Sequence, residues 1–422
     1  MKKKVLMLAL VASTLASCSS SLAYDWDAAP KNSDGSYNMF ALTYNNADPN
    51  MSSLWKPGLD AATKNKNGFS KMSWNDAAND DSKALTFLDQ ALGDDTYDAY
   101  AINVVSQQNG ATYLDKIAQK GRPVVFFNRE LSTSSGDVDM ETMNKKTNAY
   151  YVGIESAEGG RYEGKAMAEA INEKGFAAVD RNGDGKIGVY VVRGEDAHAD
   201  AEARSIWAPI YLDAYLDNPN TTDAEITANY KPTAGKFASA SGVDGVTFKK
   251  ITWKGITTAK NTAGATWDAA TAATNVEQTL SADTNKDIDV ILSNNDGMAV
   301  AISNNATFKS SGVLIAGVDA LADALQAVKD NPQYVASIRN DGKAQAQIVA
   351  KLLQNILNKT ATTHKDDAGT ELTDAELTAG IKVVTTKEAW NEDPDSIWFD
   401  KEHKAFRVHH VIINKSNVNE LA

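Results

Sequence analysis

The chain has 422 residues, enough for two domains with cores of their own, and its 43% hydrophobic and 23% charged content is that of a globular protein. A net charge of −13 excludes nucleic acid as a partner, because no basic stripe is available to neutralise phosphates. With one cysteine, Cys18, an intramolecular disulfide is excluded too.

The chain opens MKKKVLMLALVASTLASC: three lysines, an apolar run too short to span a bilayer, then small residues, which reads as a secretory signal and predicts export to the periplasm or cell envelope. Cys18 closes LASC, the form of a lipobox, in which cleavage before the cysteine leaves its thiol to carry lipid. Residues 1–18 are then the signal, 19–36 a polar tether, and the lipid the protein's only hold on a membrane. Ordinary cleavage after Ser21-Leu22-Ala23 is the alternative. No transmembrane helix is predicted after the signal.

From Tyr37 onward short apolar runs alternate with longer amphipathic ones, the pattern of strands joined by crossover helices. MFALTY (39–44), YAINVV (100–105) and RPVVFFN (122–128) read as strands, with helical patterns near 51–66, 79–92 and 109–120. A second series follows: GVYVVR (188–193), DVILSNND (289–296) and GVLIAGVD (312–319), separated by helices such as Ala199 to Leu216 and Thr266 to Leu280. The prediction is an α/β fold of two doubly wound parallel-sheet lobes, with ligands beyond the carboxyl ends of the strands. Segments 131–147, 218–248 and 359–398, rich in Thr, Asp, Asn, Ser or Lys, read as surface insertions that bury little.

Two groups of residues carry chemistry. DRNGDGKIG, Asp180 to Gly188, has carboxylate and amide oxygens at its first, third and fifth positions and glycine at the sixth, the first half of a calcium loop. Its twelfth position is Val191 instead of the bidentate glutamate such a loop needs, so either this is a turn without an ion or a carboxylate comes from elsewhere. The second group stands at strand ends: Asn128, Asn295, Asp296, Asp319 and Asn340, with His198, Asp200 and Arg204 from HADAEAR and the lone Trp267. Taken singly these Asn and Asp residues read as helix caps; together they read as a convergent site for a neutral ligand with many hydroxyls. Trp267 reads equally as a core residue or as a cover for the apolar face of a pyranose.

The runs PVVFFNRE, AYYVGIES, DRNGDGKIG, GEDAHADAEAR, NNDGMA, GVDAL and RNDGKAQA, in this order, make the chain from about Tyr37 onward resemble the bacterial periplasmic galactose/glucose-binding proteins, the substrate-binding components of sugar ABC transporters. The resemblance implies a type I periplasmic binding protein fold with a three-segment hinge near Val152 to Glu155, near Asn340 and near Arg407 to His410. Its lobes would be 37–153 plus 341–407 and 154–340 plus 408–422. It implies no catalysis: a monomer that binds D-galactose or D-glucose and serves an ABC permease, with a chemoreceptor as a second candidate partner. Asp48, Asn128, His198, Asp200, Arg204, Asn295, Asp319 and Asn340 would hydrogen-bond the hexose, and Trp267 would stack on it. Asn50 stands where the family has a phenylalanine, so the preferred sugar is open; Trp55 and Trp74 are candidates to replace that ring. For calcium, the resemblance implies Asp180, Asn182 and Asp184 through side chains, Lys186 through its carbonyl and Asp289 as the missing carboxylate, with Gly188 where the family has glutamine. Two rival functions are a monosaccharide or pentose sensor without transport, and a glycoside hydrolase using Asp48, Asp200 or Asp319.

Overall fold

The computed structural model describes residues 32–134, 136–146, 148–363 and 372–421, so the predicted signal, Cys18 and most of the tether lie outside the described residues. One sheet contains β1 (Tyr37–Thr43), β2 (Phe69–Asp76), β3 (Ala99–Ile102), β4 (Val124–Phe127) and β5 (Ala149–Gly153). The other contains β6 (Ile187–Arg193), β7 (Ile251–Thr258), β8 (Val290–Ser293), β9 (Leu314–Val318) and β10 (Tyr334–Asn340). The C-terminal part adds β11 (Val383–Val384), β12 (Ile397–Asp400) and β13 (Ala405–Val408) to the first sheet and β14 (His410–Asn414) to the second.

The strand orders are β11-β12-β13-β5-β4-β3-β1-β2 and β14-β10-β9-β8-β6-β7. The pairings from β2 to β13 and from β7 to β10 are parallel; only β12 on β13 and β14 on β10 are antiparallel. Each lobe thus repeats the same doubly wound order, in which the chain reverses direction between its first and third strands and opens a crevice there. The central strands VVFF, VILS and LIAGV are buried throughout, as expected of parallel strands covered by helices on both faces.

Three chain crossings connect the lobes. β5 belongs to the first sheet, yet the helix after it, Ser156–Lys174, packs on Ala199–Asp217 in the second lobe. β10 belongs to the second sheet, and the helix that follows returns to the first lobe's core through Ala346, Val349 and Leu353. His409 alone separates β13 from β14. Gly160 and Gly164 let the Ser156–Lys174 and Ala199–Asp217 backbones touch: a Cβ on Gly164 would stand 2.1 Å from the Ala208 carbonyl oxygen, and one on Gly160 2.8 Å from Arg204 Cα.

The insertions correct the expectation that they bury little. In 218–248, Ile226 and Tyr230 join a small core against Ile210 and Tyr211. The last insertion extends the first sheet with β11 and β12 and buries Trp390 and Leu377 almost completely. Burying side chains the size of Ile226 or Leu377 is worth about 1.5–3 kcal/mol each, so these segments are parts of the lobes.

Candidate functional site: the cleft between the lobes

Ten of the eleven residues singled out for the ligand line one cavity between the lobes, all but Asp296, together with Tyr44 and Arg129, which the sequence reading missed. From the first lobe, Tyr44 follows β1, Asp48 and Asn50 lie in the turn before Met51, and Asn128 and Arg129 follow β4. From the second, His198, Asp200 and Arg204 stand at the start of Ala199–Asp217, Trp267 before Ala269–Ala282, Asn295 after β8 and Asp319 after β9. Asn340 ends β10 at a crossing. Every group lies beyond the carboxyl ends of strands, on both sides of a crevice that the strand order opens. Trp55 and Trp74 do not line it: Trp55 is fully buried against Phe127, and the Trp74 indole donates to Asn46 Oδ1 at 3.1 Å.

The backbone is bent to aim these side chains. Asn128, Trp267 and Asp319 have φ of 60°, 58° and 118°, in the left-handed region that most side chains avoid. Such conformations cost of order ~1–3 kcal/mol each and concentrate at ligand sites. Trp267 lies on Gly194, where a Cβ would come within 2.0 Å of the ring, so a larger residue there would push the indole away. Caps and site coincide at two positions: His198 Nδ1 accepts the Asp200 N–H at 3.2 Å, and Asn295 Oδ1 accepts the Met298 N–H at 3.0 Å. At the head of the helix after β10 the cap is Asp341, which accepts the Ala344 N–H at 2.9 Å and leaves Asn340 free to face Asp319 and Gln345. Behind Asp319, the buried Asp296 accepts from Ser337, from Tyr334 and from the Leu321 N–H, which fixes the β9 turn.

The lobes are closed on one another. The cavity has a volume of about 30 Å³, on the order of two water positions, so a sugar ring enters only when the lobes part. Across the cleft, the Ala199 N–H donates to Gln107 Oε1 at 3.0 Å, and Arg129 Nη2 meets Glu195 Oε2 at 3.0 Å. The same Glu195 oxygen accepts the Trp267 indole N–H at 2.9 Å, while the Arg129 guanidinium sits 3.6 Å above the Tyr44 ring. The Tyr44 hydroxyl in turn donates to Asp48. This chain links the aromatic platform of one lobe to a carboxylate of the other.

Burial dominates the electrostatics. It pushes the Asp319 carboxyl well above the usual range, against the pull of Arg204, and raises Asp48 against the Tyr44 hydrogen bond. Burial, aided by Arg129, lowers His198 to about 4, so its ring is neutral at pH 7; with Nδ1 accepting, the proton sits on Nε2 as a donor. Glu195 is held ionised, at about 2, where Arg129, His198 and the Trp267 and Thr266 hydrogen bonds outweigh its burial. The cavity therefore offers directional donors and acceptors with little net charge, suited to hydroxyls.

The loop at Asp180 lies apart from the cleft. Asp180 accepts the Gly183 and Gly185 N–H groups at 2.8 Å each, and Asp184 Oδ1 the Lys186 N–H at 2.9 Å. Asp289, almost fully buried, stands at its base: its two oxygens accept the Arg181 N–H at 2.8 Å and the Gly188 N–H at 2.7 Å. Burial lifts its carboxyl to about 6. The oxygens have the chemistry for a hard cation, and each that accepts a single N–H keeps a second lone pair. They are turned onto backbone amides, however, and among the described residues no three His, Cys, Asp or Glu side chains form a group that could hold a metal.

Over 361 residues, 85% of this chain and 91% of the other, the chain is 29% identical to the D-galactose/methyl-galactoside binding periplasmic protein MglB of Haemophilus influenzae. Among solved structures it resembles an ABC transporter periplasmic solute binding protein of Actinobacillus succinogenes with bound D-allose, at TM-score 0.60 and 16% identity, covering 91% of this chain and 99% of that one. It also resembles a solute binding protein of Bacillus halodurans with bound myo-inositol, at TM-score 0.58 and 17% identity, covering 92% and 99%. Residues 40–361 match the periplasmic binding protein domain. The chain belongs to the periplasmic binding protein family, and it is a binding protein, not an enzyme.

Proposed function

We propose that the protein binds a monosaccharide or related cyclic polyol in the interlobe cleft, with D-galactose or D-glucose as first candidates, and presents the closed form to an ABC transporter permease. The observation that carries this reading is the convergence of twelve residues from both lobes, polar groups and one indole among them, on a single cavity. Amides, carboxylates and the Arg204 fork direct hydrogen bonds at fixed angles, and an indole covers the C–H face of a pyranose. Because the two walls belong to different lobes, only the closed form makes every contact, so the ligand's differential affinity drives closure. The 29% identity to a galactoside-binding relative supports a hexose. Calorimetric titration with D-galactose, D-glucose, D-allose and myo-inositol tests the reading, with saturable binding of at least one as the expected result.

Calcium at Asp180, Asn182, Asp184, the Lys186 carbonyl and Asp289 is the second part of the proposal. What supports it is the donor chemistry and the position of Asp289, whose two hydrogen bonds tie it to the loop. An ion bound only by the folded state stabilises it, by ~2.7 kcal/mol at a hundredfold excess over Kd. Chelation should therefore lower the melting temperature and added calcium restore it, leaving sugar affinity unchanged. A melting temperature indifferent to both treatments would leave the segment as a turn.

A further inference from the structure

Asn50 occupies the N-cap position of the helical segment that begins at Met51, where an asparagine normally turns its side-chain oxygen back onto the helix's first N–H groups. It does not: no side-chain capping bond is made. The turn is organised by Asp48, whose Oδ1 accepts the Asn50 N–H at 2.9 Å and whose carbonyl accepts the Ser52 N–H at 3.1 Å. The Asn50 side chain is freed to line the cavity, where the residue is only 4% exposed. Its Oδ1 has no hydrogen-bond partner there. A buried acceptor left unpaired is costly, so the site asks for a donor there.

We propose that Asn50 is a specificity-determining residue: its side-chain oxygen accepts a hydroxyl of the bound ring, so the site selects sugars or cyclitols that present a free hydroxyl at the position facing Asn50. The inference rests on the proposed binding of a monosaccharide or cyclic polyol. It goes further by naming one ligand group and the atom that reads it. A ring lacking that hydroxyl, or carrying it as a methyl ether, gives the oxygen no donor.

The test compares the full chain with Asn50→Leu, close in volume but without polar atoms. Both are titrated calorimetrically with the tightest ligand of the four-member panel and with its monodeoxy and mono-O-methyl analogues. In the wild type, one monodeoxy analogue should bind about tenfold or more weaker than its parent. Asn50→Leu should bind the parent about tenfold weaker than the wild type does, and should no longer distinguish it from that same analogue. Should Asn50→Leu melt early, Asn50→Ala carries the same comparison. Analogue penalties identical in the wild type and the variant would overturn the role of Asn50 while leaving sugar binding intact. A wild type that binds none of the panel would instead remove the functional reading on which it rests.

Discussion

Replacing Arg407 by methionine should lower the unfolding free energy by about 3–5 kcal/mol, measured by urea denaturation. Arg407 lies in β13, two residues before the crossing at His409, and is 5% exposed. Its fork meets Glu130 at 2.9 and 3.0 Å, Nε meets Asp400 at 3.0 Å, and Nη1 donates to the Ile154 carbonyl at 2.9 Å beside the first crossing. Methionine fills much of the space but leaves two buried carboxylates, Glu130 and Asp400, without their cation, and such a charge costs far more than the pair contributed. The His403 ring, 2.7 Å from Asp400, covers only one of them. A loss below about 1 kcal/mol would show that water reaches both carboxylates and that the network does not brace the hinge.

Asp319→Ala should weaken sugar binding by ~2–3 kcal/mol, roughly 30- to 150-fold in Kd, with the fold retained. Asp319 lines the cavity with Arg204, accepts from the Asn340 amide, and is held at φ 118° by the turn that Asp296 anchors. Alanine deletes that polar group from the cavity wall and leaves the Asn340 amide without its Asp319 partner. Calorimetry on the variant, with circular dichroism to check folding, reads the effect. A change below threefold would place Asp319 outside the set that touches the ligand.

Legibility differed by element for physical reasons. VVFF, VILS and LIAGV were readable because a parallel strand covered on both faces is a continuous apolar run. Neither β2, FSKMSWND, nor β7, ITWKGITT, was read as a strand: both are edges that bury only their first residue, so they look polar and irregular. The last insertion looked like solvated loop because its apolar residues are widely spaced; Trp390 finds its partners, Trp398 and His409, only in three dimensions. In the site, strand-end Asn and Asp residues stood out because a polar side chain after an apolar run is conspicuous. Arg129 and Glu195 did not, since a charge in a loop ordinarily reads as solvated, and pairing from opposite lobes leaves no local trace. Arg129 directly follows Asn128, so proximity to a flagged strand end was the one signal available.

Calorimetric titration of the wild-type protein at pH 7 with D-galactose, D-glucose, D-allose and myo-inositol bears most directly on the central claim, that the cleft is a binding site for a ring with many hydroxyls. The predicted result is one-to-one, saturable binding of at least one of them, with a heat that disappears or a Kd that rises at least 30-fold in Asp319→Ala. No heat with any of the four, together with saturable binding of an amino acid or peptide, would contradict it.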